Sequence, residues 1–136
     1  MINDEITPEE FSKLPTKTDE ERVRAILEKE LKRELPKKRV KLGNITHEFD
    51  LFAKDGSIIG EVKSGKDFLY KNKKIKNYRF AELCLDCLYL MSMKADEKIF
   101  VLTNKDMFDA FKKTIHGLAI EGIKIRLIEL KSSIFR

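Results

Sequence analysis

Apolar residues recur along the chain with two periods, and the changes between them mark out its elements. Val23, Ile26, Leu27 and Leu31 lie at helical spacing, behind a Thr18 or Asp19 cap and ahead of Pro36, which predicts a helix over residues 18–35. Ahead of it, Thr7-Pro8-Glu9-Glu10 sets an N-cap, a proline at the first helical position and a capping-box glutamate in order, and Pro15 ends that short extra helix. Residues 37–45 read as a first strand. Residues 48–54 and 58–63 alternate with period two around Asp55-Gly56 and read as a hairpin. From Asn77 to Met93 the period is helical again, with Phe80, Leu83, Cys84, Cys87, Leu88 and Met91 on the expected buried face. Residues 98–103 contain the unbroken run Ile99-Phe100-Val101-Leu102, as in a strand covered on both faces. Thr103 or Asn104 caps a further helix to Leu118, ended near Glu121-Gly122, and residues 123–130 alternate as a half-exposed last strand. The order is α-β-β-β-α-β-α-β. With no repeat or low-complexity linker, one domain over residues 1–136 is expected, with 1–17 as an N-terminal extension and a core over 18–130.

The hairpin carries the candidate chemistry. Asp-Gly between alternating apolar runs is a strong turn signal, because the mirror-image turns need positive φ and glycine adopts it at no steric cost. With Asp55 and Gly56 as the central turn residues, Lys54 faces Ser57, Ala53 faces Ile58, Phe49 faces Val62 and Asp50 faces Glu61. The same register sets Glu48 opposite Lys63 on the face of Asp50 and Glu61, and turns His47 to the other face. One face is apolar, and the other holds three carboxylates and a lysine. Directly opposed carboxylates repel, so a positive partner is expected between them, and a hard divalent cation suits oxygen ligands. The plain alternative is an ion pair on a solvated sheet face.

Composition narrows the partners. Lys plus Arg number 28 against 23 Asp plus Glu, a net charge of +5, which favours nucleic acid over acidic proteins or membranes. Lys66, Lys71, Lys73, Lys74, Lys76 and Arg79 are set against the single acid Asp67, with Tyr70 and Tyr78 interleaved. Such a run is an electrostatic footprint for phosphates, with tyrosines to pack on sugar or base; its plain alternative is a solvated loop. Lys37, Lys38, Arg39 and Lys41 form a second basic cluster. The chain opens on acidic residues and Asp86 interrupts the longest apolar stretch, so a cytoplasmic protein without a membrane span is expected. Cys84 and Cys87 form a C-x-x-C without a second ligand pair, inside an apolar helical pattern, and are expected to pack in the core.

The element order, together with Asp50 and the run Glu61-Val62-Lys63, resembles the PD-(D/E)xK nuclease superfamily, also called the restriction-endonuclease-like fold. The likeness runs over residues 19–130, and the layout is most similar to small archaeal Holliday-junction resolvases and Mrr-like endonucleases. Phe49 stands where the named motif has proline. The resemblance implies an α/β fold with a central mixed sheet of about five strands flanked by helices. It also implies a Mg²⁺- or Mn²⁺-dependent endonuclease acting on DNA, with structure-selective cleavage as in the resolvases, and a homodimer. Asp50, Glu61 and the Val62 carbonyl match the metal ligands, and Lys63 the lysine that orients water and offsets phosphate charge. A glutamate from the first helix often joins the metal. Glu20 shares the helix face of Val23 and Leu27 and is assigned that place, while Glu21 points about 100° away; both acids also simply favour a helix N-terminus. The alternatives are a non-catalytic nucleic-acid-binding module and an accessory subunit that retains the fold.

Overall fold

Thr18 opens helix α1 (Asp19–Leu31) through a reciprocal capping box: its hydroxyl accepts the Glu21 N–H at 3.1 Å, and the Glu21 carboxylate accepts the Thr18 N–H at 2.8 Å. The computed structural model describes residues 18–65, 67–118 and 120–130; the expected helix within residues 1–17, and Lys66, lie outside the described residues. Helix α1 ends four residues earlier than Pro36 predicts. Lys32 turns left-handed at φ 56°, and the backbone of Leu35 is captured by side chains, Glu28 accepting its N–H at 2.7 Å and Arg24 donating to its carbonyl at 2.9 Å. Leu35 is thereby driven into the core.

The expected first strand is two pieces of structure. Gly43, at φ 62°, starts a two-residue turn with Asn44, the glycine-first pattern of a type II′ hairpin. Strands β1 (Lys38–Leu42) and β2 (Ile45–Phe49) pair antiparallel from Leu42–Ile45 to Lys38–Phe49, as a separate two-stranded ribbon. The chain then bends at Asp50 and continues as β3 (Leu51–Phe52), which joins β4 (Ile58–Lys63). Helix α2 (Asn77–Met91), β5 (Glu97–Leu102), α3 (Lys105–Ile115) and β6 (Lys124–Leu127) follow. The main sheet has the order β3-β4-β5-β6, with β3 antiparallel and the other pairs parallel. The fold is α/β with a mixed sheet of four strands rather than five, because β2 pairs with β1 and not with β4.

The expected register survives at the turn although the turn itself differs. Leu51 pairs with Gly60 and Phe52 with Ile59, and the Ala53 N–H donates to the Ile58 carbonyl at 2.8 Å. Gly56 is at φ 76° and its N–H closes back on the Ala53 carbonyl at 2.8 Å, so the loop runs over four residues rather than two. An even change in loop length keeps the side chains of β3 and β4 on their expected faces. The Asp55 carboxylate holds the loop, accepting the Ser57 N–H at 3.0 Å and an Arg33 N–H at 2.7 Å.

Two cores cover the sheet. Val23, Leu27 and Leu35 from α1 and its exit loop pack with Leu51, Ala53, Ile58, Val62, Ile99 and Val101 on one face. Phe49, Phe52, Ile59, Phe100 and Leu102 meet Leu83, Cys87 and Leu90 of α2 and Met107 and Phe111 of α3 on the other. Asn104 caps α3 by accepting the Met107 N–H at 2.9 Å. On α2 the buried stripe is Leu83, Asp86, Cys87 and Leu90, while the expected core residues Leu88 and Met91 are exposed, as is Ile26 on α1. Cys84 and Cys87 are free thiols in this helix, and burial pushes Cys87 up to about 12. Among the described residues, no helix is long and apolar enough to cross a membrane.

Gly60 sits where β4 is squeezed between its neighbours: a Cβ there would lie 2.8 Å from the Ile99 carbonyl oxygen and 2.9 Å from Leu51 Cδ1. Gly60→Ala is expected to lower the unfolding free energy by ~1–3 kcal/mol through overpacking. Urea unfolding of both proteins, followed by circular dichroism, checks this; equal midpoints would contradict the packing described.

Candidate active site

The bend at Asp50 builds the site. Backbone pairing of β3 with β4 ends at Leu51–Gly60, one step short of Asp50 and Glu61, and the Asp50 carboxylate takes over by accepting the Val62 N–H at 2.8 Å. Asp50 therefore stands beside Glu61, as the hairpin register predicts. The Asp50 carbonyl accepts a hydrogen bond from Arg24 at 2.5 Å, and the same guanidinium group contacts Glu20 at 2.9 Å. Glu20, not Glu21, reaches Asp50: Glu21 is spent on the Thr18 capping box, while Glu20 is close enough to raise the proton affinity of Asp50. Lys37 also pairs with Glu20, at 3.2 Å.

The same bend overturns two expectations about β2. Glu48 faces Arg39 of β1 and not Lys63. Phe49, expected on the Val62 face, packs in the opposite core, because the ribbon's alternation is reset at Asp50. His47 shares the parity of Phe49 on β2 and so turns towards the carboxylates instead of away from them. Its Nε2 touches Glu61 Oε2, and its ring stacks on Tyr89 of α2 at 3.8 Å between centroids. Lys63 finds a different partner, Asp86 of α2, with Nζ 3.1 Å from Oδ2. That contact is close enough for an ion pair but lacks hydrogen-bond geometry, and the buried Oδ2 has no hydrogen-bond partner among the described residues.

Asp86 and His47 escaped the sequence reading. A signal existed for each: Asp86 is the one acid on the apolar stripe of α2, and the Gly43-Asn44 turn, once recognised, makes residues 45–49 a ribbon strand whose facing need not follow β3.

Glu20, Asp50, Glu61 and Asp86 thus gather around one end of the hairpin. Glu61 is 3 % exposed and Asp86 8 %. Burial, then repulsion from Asp50 and Asp86, pushes Glu61 up to about 9. Burial also pushes Asp50 up to about 6, helped by Glu20 and opposed by the Val62 N–H. Burial raises Asp86 and the Lys63 ammonium restrains it, and in return Asp86 keeps Lys63 above its ordinary value against desolvation. Desolvation lowers His47. A raised Glu61 and a lowered His47 both disfavour a charged pair at the His47–Glu61 contact.

Whether these residues fit a divalent ion can be judged from the donors. Among the described residues, no group of three or more His, Cys, Asp or Glu side chains stands ready to hold a metal. Mg²⁺ needs no such group, since it is commonly held by one or two carboxylates, a carbonyl and waters. Asp50 and Glu61 supply two hard oxygen donors that lack a cation between them. An extended residue presents its N–H and C=O to the same strand edge, so the Val62 carbonyl faces the Asp50 side. The donor set fits in kind.

The basic loop is more structured and less free than the sequence suggests. Phe68 and Ile75 are buried, Leu69 bridges Ile75, and a turn closed by the Lys73 N–H on the Tyr70 carbonyl at 2.9 Å places Lys71 to Lys74 at its tip. Lys73 pairs with Asp106 at 2.9 Å, Lys76 with Asp67 at 2.5 Å, and Arg79 with Asp67 at 3.3 Å and Glu82 at 3.0 Å. Lys71 and Lys74 have no acidic partner among the described residues. Tyr78 is exposed, with Arg79 lying 5.2 Å from its ring. A groove of about 440 Å³ between the ribbon and α2, lined by Leu42, Ile45, Leu85, Leu88 and Tyr89 among others, carries no carboxylate or cation and is not this site.

No protein-family model matches the chain, and comparison with curated proteins and with solved structures also returns no match.

The raised carboxyls set a pH dependence. A folded-state pKa above the unfolded one means that the folded protein holds the proton more tightly, so stability is lost as pH rises through the window from 4.5 to about 9 for Glu61 and from 3.8 to about 6 for Asp50. In metal-free buffer Glu61→Gln is expected to gain on wild type as pH rises through that window, by about 1 kcal/mol per pH unit. Thermal unfolding across that range measures it, and parallel curves for the two proteins would contradict the burial of Glu61 beside Asp50.

Proposed function

We propose that the chain is a metal-dependent DNA endonuclease of the PD-(D/E)xK kind, with a restriction-endonuclease-like core. The observation that carries this reading is the pairing of half-buried Asp50 with buried Glu61, held side by side at the end of a hairpin with Lys63 on the same face as Glu61. Two carboxylates kept uncompensated in a protein interior cost stability, and such a cost is commonly retained where charge has work to do. Asp50, Glu61 and the Val62 carbonyl would hold Mg²⁺ or Mn²⁺. A metal bound there supplies Lewis acidity and a water acidified towards neutral pH.

The chain's own groups do the rest. Arg24 and the Val62 N–H fix Asp50, so the carboxylate needs no reorganisation when a substrate arrives. Lys63 provides the positive charge that the phosphoryl oxygens require, and its ion pair with Asp86 leaves it mobile enough to turn towards them. Glu20 closes the site from α1. Lys71 and Lys74 offer unpaired charge to the phosphate backbone, and Tyr78 an exposed ring; nothing in their arrangement reads base edges, so backbone-directed binding is the expectation. Cutting two strands would call for two copies of the site, hence a homodimer in the cytoplasm, where chromosomal DNA is accessible to a protein of this kind.

A second reading, a nucleic-acid-binding module that does not cleave, is favoured by one observation: Lys63 is turned to Asp86. Purified protein incubated with supercoiled plasmid, linear duplex and four-way junctions, in Mg²⁺, in Mn²⁺ and with chelator, separates the two. Cleavage that needs metal and falls at least ~100-fold in Lys63→Ala and Asp50→Ala is expected of the enzyme. DNA binding without cleavage of any substrate would leave the module. In either case the Lys71→Ala/Lys74→Ala pair is expected to reduce the salt dependence of binding by about two phosphate contacts, with a log–log slope shallower by about 1.8.

A further inference from the structure

We propose that His47 is a positioning residue for Glu61, gripping one carboxylate oxygen through Nε2 so that the other is presented towards Asp50 and the ion between them. The inference deepens the metal-site reading of Asp50 and Glu61 and rests on it. His47 occupies its place by construction and not by chance contact. The bend at Asp50 resets the alternation of β2 and brings His47 and Phe49 to the site side. Phe49 meets the imidazole edge-on at 4.7 Å and 88°, and Tyr89 stacks on it at 3.8 Å and 16°. Two aromatic neighbours at right angles leave the ring little freedom to tilt, and Nε2 is directed at Glu61 Oε2.

Glu61 needs such a hold. Its backbone lies in a ladder paired with Phe100, but that pairing leaves the side-chain torsions free, and its carboxyl group is buried beside Asp50 and Asp86. The cations near the cluster are engaged elsewhere: Arg24 and Lys37 hold Glu20, and Lys63 holds Asp86. Besides Asp50, His47 is the side chain in hydrogen-bond contact with Glu61 among the described residues. Whichever partner carries the shared proton, the contact selects the same Glu61 rotamer. Residues that orient a ligating carboxylate commonly change metal affinity by 10–100-fold when removed.

The test is Mn²⁺ binding to the full chain, followed by titration calorimetry and by loss of the free-ion paramagnetic resonance signal. Asp50→Ala reports binding outside the site. His47→Phe keeps an aromatic ring for Tyr89 but cannot touch the carboxylate; His47→Gln loses the ring but offers an amide near the place of Nε2. Affinity in His47→Phe is expected to fall by ~10–100-fold, and His47→Gln to recover to within about threefold of wild type. Wild-type affinity in His47→Phe, or equal loss in both variants, overturns the role of His47 while leaving the site. Wild type binding no better than Asp50→Ala overturns the metal site, and the inference with it.

Discussion

The rest of the structure depends on how the edge of the sheet ends. The ladder between β3 and β4 stops at Leu51–Gly60, and the Val62 N–H beyond it lies in an interior where an unmet donor costs ~1–3 kcal/mol. Asp50 meets it with a side chain instead of a backbone carbonyl. That substitution frees the Asp50 carbonyl for Arg24, which also holds the Leu35 carbonyl and so ties α1 and its exit loop to the sheet edge. It also lets the chain swing out of the sheet, so that β2 becomes half of a ribbon with β1. The acid pair, the recruitment of Glu20 and the inward turn of His47 follow from one bend.

Charge is distributed around this point in an uneven way. Glu20 has two cations, Arg24 and Lys37, and Asp86 has Lys63. Asp50 has one backbone N–H, and Glu61 a histidine whose own charge is disfavoured by desolvation. The two acids at the centre are therefore the least compensated by cations. Replacement of such a pair by apolar residues commonly stabilises a protein. Local rules that are broken at one place while the surrounding core is well packed point to a site shaped for something other than stability.

The sequence carried the hairpin well because its information is local. Asp55-Gly56, the flanking alternation and the parity argument place Asp50 beside Glu61 even though the loop is longer than the simplest turn allows. Glu20 was separable from Glu21 by helical period alone. What failed was non-local. Residues 37–45 were read as one strand because Gly43-Asn44 was passed over, and with it went the fate of Glu48 and His47, which depends on which strand β2 chooses as partner. The end of α1 was misplaced for a similar reason: the capture of Leu35 by Glu28 and Arg24 outweighs the simple stop signal of Pro36. On α2, the buried stripe runs through Asp86 and Leu90 rather than Leu88 and Met91, a choice between adjacent faces that an all-round apolar helix does not reveal.

Helix α2 then joins the two parts of the molecule that the proposed chemistry needs together. Its N-terminal end continues from the basic loop, where Lys76 and Arg79 hold Asp67. Two turns further on, Asp86 takes Lys63, and Tyr89, three residues later and hence on the neighbouring part of the same face, stacks on His47. The lysine and the histidine that flank the carboxylates are thus both set by one helix whose start is anchored to the basic loop. Lys63 is held by charge without a directed hydrogen bond. His47 is held by ring stacking, which a passing anion does not disturb. The arrangement separates a side chain held by charge alone from one held by ring stacking.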